Sequence, residues 1–114
     1  MTISVVISAY NEQKRLADCM ASVAWADEVI VIDNSSTDQT AAVARKLGAK
    51  LYKRPNNPML NVNKNFGFTK ATGDWILNLD ADEEIPPTLA QEIRRVIRSS
   101  GDSMGYWIPR KNII

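Results

Sequence analysis

Apolar runs alternate with amphipathic stretches along this chain. Ile3 to Ser8 is a short β-branched run, the pattern of a buried strand. A helical pattern follows, with Leu16, Cys19, Met20 and Val23 on one face. Glu28 to Asp33 reads as a second buried strand, and Asn34-Ser35-Ser36 as a loop in which Ser36 or Thr37 is placed to cap the next helix. That helix carries Ala41 to Ala44 and Leu47, and Gly48 is its stop signal. Ala49 to Tyr52 is a short third strand, and Pro55-Asn56-Asn57-Pro58 marks a loop. Asn63 to Ala71 is helical but polar, with Gly73 as its end; Asp74 to Leu79 is the fourth strand. Pro86-Pro87 opens a helix whose apolar face is Leu89, Ile93, Val96 and Ile97, and Gly105 to Ile108 starts a fifth strand.

Strands alternating with helices predict a three-layer α/β/α fold with a mainly parallel sheet. Right-handed crossovers lead to strand order 3-2-1-4. The winding then reverses between strands one and four, and ligands of such sheets bind at the carboxyl ends of strands beside the reversal. Three polar segments meet there: Ala9-Tyr10-Asn11-Glu12, Asp33-Asn34 and Asp80-Ala81-Asp82. At 114 residues a single domain, 1–114, is expected.

The third segment carries the most chemistry. Residues i and i+2 of an extended segment point the same way, so Asp80 and Asp82 present two hard oxygen ligands that can hold a divalent cation, and the cation can hold phosphates. Asp82 is the preferred direct ligand and Asp80 the second; Asp80 alternatively hydrogen-bonds a ribose hydroxyl or a metal-bound water. Asp33, at the end of strand two, can accept hydrogen bonds from a base N–H or a ribose hydroxyl, or cap a turn. Asn11 is placed to cap the first helix and Glu12 to contact ribose. Lys64 is the nearest candidate cation for phosphate or base, with Lys53, Arg54 and Lys70 competing.

Composition narrows the field. The chain has no histidine, which excludes imidazole chemistry, and its single cysteine, Cys19, excludes an internal disulfide and reads as a small core residue. A net charge of +1 gives no bulk attraction to nucleic acid. No apolar run approaches a membrane span and no signal peptide opens the chain, so a cytoplasmic location is the expectation. Neither G-x-G-x-x-G nor a Walker loop is present.

These residues also carry a family resemblance. Ser4 to Glu12 resembles the opening motif of family 2 glycosyltransferases, with Ser8 where the family usually has proline. Val31 to Asp38 resembles the second motif, Lys64-Asn65-Phe66-Gly67 through Ala71 to Leu77 the third, and Leu79 to Glu83 the D-x-D segment. Trp25 to Glu28 and Gly105 to Asn112 further resemble the bacterial subgroup that includes lipopolysaccharide-core glycosyltransferases. The resemblance implies a GT-A fold, a nucleotide-diphospho-sugar donor (a UDP-sugar first), Mg²⁺ or Mn²⁺, inversion at the anomeric carbon, and a sugar or lipid-linked acceptor. By motif position it implies donor binding by Ala9, Tyr10, Asn11, Glu12, Asp33, Lys64, Asp80 and Ala81, with metal at Asp82 and Asp80. Family members are longer, and their later part carries the acceptor site and the general base. The chain therefore reads as the N-terminal, donor-binding half of such an enzyme, with the catalytic base outside it. Peripheral association with the inner face of the membrane and a homo-oligomer paired through a sheet edge are further expectations.

Two other classes compete. A nucleotide-sugar binding module would share the donor motifs without transfer of its own. A nucleotidyltransferase would share the switch point, but needs a glycine-rich, arginine-bearing loop after strand one, which Ala9 to Glu12 is not.

Overall fold

The computed structural model of the chain describes residues 2–56, 60–99 and 111–112. Strands β1 (Ile3–Ala9), β2 (Glu28–Asp33), β3 (Lys50–Lys53), β4 (Trp75–Asp80) and β5 (Lys111–Asn112) form one sheet of order β3-β2-β1-β4-β5. Every pairing is parallel. The expected order 3-2-1-4 stands, with β5 added outside β4. The fifth strand expected at Gly105 to Ile108 lies outside the described residues.

Helices α1 (Leu16–Ala21), α2 (Thr40–Lys46) and α4 (Pro87–Ser99) bury their apolar residues in one cluster with Ile3, Val5, Ile7, Leu77 and Leu79. Helix α3 (Leu60–Lys70) covers the opposite face over Val6, Ile30, Ile32 and Ile76. β1 is buried along nearly its whole length because it is central and covered on both faces. On α4 the buried stripe is Ala90, Ile93 and Ile97, while Leu89 and Val96 are exposed at its margin. Among the described residues no helix is long and apolar enough to cross a membrane.

Gly48, at φ +88, closes α2 as the sequence indicates. Gly73 has a different role from the helix stop expected of it. A Cβ there would sit 2.8 Å from the Ser4 backbone nitrogen, and the Gly73 N–H donates to Ser4 Oγ at 2.9 Å. The glycine permits β4 to enter beside β1 at backbone contact distance. Neither Ser36 nor Thr37 caps α2. The N-cap position is Gln39, whose side chain makes no capping bond, and Asp38 just before it accepts the Thr40 N–H at 2.9 Å.

A buried carboxylate joins three segments at the amino end of the sheet. Glu28 accepts Ser4 Oγ–H at 2.6 Å and the Thr72 N–H at 2.9 Å, and pairs with Lys50. Burial alone would raise its pKa, but the hydrogen bonds from Lys50, Ser4 and Thr72 and the charge of Lys50 together bring it down to about 2, from 4.5. A depressed folded pKa stabilises the fold above the unfolded value, and that stability is lost as pH falls through 4.5 toward 2. Glu28→Gln is therefore expected to cost roughly 1–2 kcal/mol at pH 7. Urea unfolding at pH 7 and at pH 3 should show the gap between wild type and variant narrowing in acid; a gap independent of pH would remove the carboxylate's charge from the account.

Candidate active site at the carboxyl end of the sheet

Three strand ends deliver the site. The parallel register sets Ala9 beside Asp33 and Ser8 beside Asp80. Beyond Ala9 the chain turns sharply, with Asn11 in the left-handed region at φ 51. Asn11 does not cap α1. Its Oδ1 accepts the Thr37 N–H at 2.8 Å, and its own N–H donates to Ser36 Oγ at 2.9 Å. The Glu12 N–H donates to Thr40 Oγ1 at 2.9 Å, and the Thr40 side chain is fully buried. The loops after β1 and β2 thus hold each other through side chain to backbone bonds, which fixes Tyr10 and Glu12 at the cleft.

An open cleft of about 410 Å³ lies over these strand ends. Of the residues expected in the site, Ala9, Tyr10, Glu12, Lys64, Asp80, Ala81 and Asp82 line it; Asn11 and Asp33 do not. Asp33 is only 2% exposed, and its Oδ1 accepts the Ser36 N–H at 3.1 Å, the turn-capping role. The next residue, Asn34, faces the cleft in its place.

The acidic end departs from the extended alternation expected of it: β4 ends at Asp80, and Ala81 and Asp82 lie in a turn closed by the Glu83 N–H on the Asp80 carbonyl at 2.9 Å. Ala81 is buried, and Asp80 and Asp82 are exposed on either side of it. The Ala81 N–H bonds the Ser8 carbonyl at 2.9 Å, and Glu83 folds back to accept the Asp80 N–H at 2.8 Å. Cys19 lies beneath, with its thiol 3.8 Å from the Asp80 carbonyl. Burial first, then the carboxylates of Glu83, Glu84, Asp82 and Asp80, push that thiol up to about 12. It stays protonated and is a core residue, as its position in the helical pattern implies.

Each exposed aspartate has a cation near it. Lys64 Nζ is 3.7 Å from Asp80 Oδ1, and Arg15 Nη1 is 3.8 Å from Asp82 Oδ2. The other lysines and arginines weighed for this role are placed elsewhere. The Arg54 guanidinium lies 4.2 Å from the Phe66 ring centroid and Lys70 Nζ 5.2 Å from it, and neither lines the cleft, nor does Lys53.

Sequence reasoning missed the wall opposite the acids. Asn63, only 6% exposed, donates to Asn34 Oδ1 at 2.6 Å and to the Pro55 carbonyl at 2.8 Å, and accepts from Arg54 Nε at 3.4 Å. Asn34 in turn donates to the Ala9 carbonyl at 3.2 Å. This relay ties the start of α3 to both loops, and Asn34, Asn56 and Asn63 line the cleft. A signal was present: Asn63 and Gly67 stand one helical turn apart on the face that meets the sheet. Ser8 also lines the cleft, and among the described residues its buried Oγ has no hydrogen-bond partner; buried Asn78 Oδ1, two residues before Asp80, has none among them either.

Among the described residues no group of three or more carboxylate, thiol or imidazole side chains converges on one point. Asp80 and Asp82 alone would leave most positions of a cation to water and ligand oxygens, the manner in which Mg²⁺ is held on substrate phosphates. The residues therefore fit a metal that arrives with a diphosphate, and not a closed protein cage.

Residues 4–112 match glycosyl transferase family 2, and the chain belongs to that family. It is 43% identical over 98 residues to an uncharacterized glycosyltransferase of Rickettsia conorii, covering 85% of this chain and 34% of that protein. The chain thus spans about a third of the length of the curated relatives it matches. Its fold resembles that of S. aureus TarS 1-349 in complex with UDP-GlcNAc, with a TM-score of 0.73 and 26% identity over 87% of this chain and 32% of that one. It also resembles glucosyl-3-phosphoglycerate synthase from Mycobacterium tuberculosis in complex with Mn²⁺, UDP and glucosyl-3-phosphoglycerate, with a TM-score of 0.64 and 26% identity over 73% of this chain and 35% of that one. The GT-A architecture expected from the motifs is thereby confirmed, with the four-strand order 3-2-1-4.

Proposed function

We propose that this chain is the donor-binding part of a glycosyltransferase that takes a nucleotide-diphospho-sugar, a UDP-sugar first, together with Mg²⁺ or Mn²⁺. The observation that carries this is the meeting of Asp80, Asp82 and Lys64 with the Asn34–Asn63 wall in one cleft at the switch point of the sheet. The UDP-GlcNAc bound by TarS and the Mn²⁺ and UDP bound by the mycobacterial synthase support the choice of donor and metal. Asp80 and Asp82 would hold the cation from the protein side, and it would supply neutralisation of charge on the departing diphosphate. Lys64, beside Asp80, adds a point charge on the same side. The nucleoside lies against Asn34, Asn56 and Asn63, with Asp33 behind them bracing the turn.

Inverting transfer to a sugar or lipid-linked acceptor of the bacterial envelope, lipopolysaccharide included, is the fuller proposal. The likeness of Trp25 to Glu28 to the lipopolysaccharide-core subgroup supports it. That proposal places the enzyme in the cytoplasm, at the inner face of the membrane.

Calorimetric titration of the chain with UDP tests the donor site. Binding is expected with Mn²⁺ and to weaken at least ~10-fold after chelation, because unshielded carboxylates repel a diphosphate. Equal affinity with and without Mn²⁺ would take the metal out of the reading, and absence of binding in both would take out the donor site.

A further inference from the structure

Arg15 belongs to none of the donor motifs, yet it reaches the residue assigned as first metal ligand. Among the described residues the one ion pair of its guanidinium is with Asp82, at 3.8 Å. The side chain is 66% exposed and free to turn, while its backbone is fixed. The Arg15 N–H bonds the Glu12 carbonyl at 3.1 Å, and Leu16 beside it is fully buried. Lys64 stands in the same relation to Asp80. Each carboxylate of the D-x-D segment thus already carries a protein cation.

We propose that Arg15 is a diphosphate-binding residue held on Asp82 until a divalent ion takes its place. The inference rests on the donor site described above. A guanidinium and a divalent cation compete for one exposed carboxylate, since each draws on the same negative charge and the two positive centres repel until a second anion lies between them. Entry of the metal therefore frees Arg15. The nearest new anion is the diphosphate that the same metal holds, and the planar fork of arginine matches two phosphate oxygens at once. The charge count favours the exchange: among the lining residues Glu12, Asp80 and Asp82 outweigh Lys64 and leave the cleft acidic, a divalent ion offsets that excess, and Arg15, outside the lining but paired with Asp82, is then the charge left over for an anionic ligand. Lys64, a compact point charge, makes the same move from Asp80 without the fork.

This exchange predicts effects of opposite sign in one variant. Arg15→Ala removes a competitor of the metal, so MnCl₂ alone should bind about fivefold tighter, the fold-change that corresponds to ~1 kcal/mol for an exposed ion pair. UDP at saturating MnCl₂ should bind about tenfold weaker, because a charge-assisted contact is gone. Arg15→Lys should compete with Mn²⁺ as wild type does but recover only part of the UDP affinity. The melting temperature should not move in either variant, since the side chain is mostly in solvent. The experiment is calorimetry of the whole chain with MnCl₂, then with UDP at saturating MnCl₂. If Arg15→Ala leaves either affinity unchanged, or weakens Mn²⁺ binding, the exchange is overturned while the donor site stands. If wild type binds neither probe, the donor site itself fails and the exchange with it.

Discussion

The double variant Asp80→Asn, Asp82→Asn should lose Mn²⁺-dependent binding of UDP. Asparagine keeps the size and most of the hydrogen bonding of aspartate and removes its charge, so the change isolates metal ligation. Both side chains are about half exposed, at 56% and 49%, and neither belongs to the core. Unfolding should therefore be little changed. Each carboxylate contact with a cation is worth ~1.5–3 kcal/mol as a charge-assisted interaction. Losing two should weaken UDP binding in saturating Mn²⁺ by at least ~100-fold. In chelator the sign reverses: the variant should bind UDP as well as wild type or better, since two charges that repel diphosphate are gone and Lys64 is released from Asp80. Calorimetry in the two buffers measures both limbs. A variant that keeps its response to Mn²⁺ would place the metal elsewhere, and one that melts early would give these aspartates a structural duty that their exposure does not suggest.

The elements that could be read directly are those whose neighbours matter least. β1 and β2 are β-branched runs and β4 is a largely apolar one, and a central parallel strand covered on both faces needs nothing more to be recognised. Asp80 is equally legible as the end of a strand, whereas Asp82 reaches the cleft through a turn after β4, with the small Ala81 between them turned inward. Asp33 shows where pattern stops. Its place at the end of β2, beside Ala9, follows from the strand, but the Ser36 N–H that claims its carboxylate belongs to a turn whose path depends on Asn11 from another loop. Arg15 and Asn63 were hidden for a related reason. Each acts through a partner far along the chain, Asp82 for one and Asn34 for the other, and a single sequence records no such pairing. Helix α3 is the clearest case. Its polar sequence shows little apolar periodicity, because Gly67 seats the helix against Val6 and Ile32, half-buried Phe66 and Phe68 pack beside it, and Asn63 is held by bonds to Asn34 and Pro55.

Gly67→Val should accordingly damage both fold and site. A Cβ on Gly67 would stand 2.6 Å from Val6 Cγ1 and 3.0 Å from Ile32 Cγ1. Val6 and Ile32 are fully buried and β-branched, so neither can swing aside cheaply. The helix must back away from the sheet, and overpacking of this kind costs ~1–3 kcal/mol. Asn63 and Lys64 sit one turn earlier on the same helix, so the displacement stretches the bonds from Asn63 to Asn34 and Pro55 and draws Lys64 from Asp80. UDP affinity in Mn²⁺ should fall by about tenfold, the loss of one charge-assisted contact. Gly67→Ala sets two effects against each other, since alanine favours the helix by ~1 kcal/mol over glycine. The contact to Val6 should outweigh it, giving the order glycine, alanine, valine from most to least stable. Urea midpoints establish the order, and calorimetry on the folded variants establishes the link to the cleft. An alanine variant more stable than wild type would mean that Val6 and Ile32 yield to the new methyl. A valine variant that binds UDP normally would mean that the seating of α3 on the sheet does not set the position of Lys64.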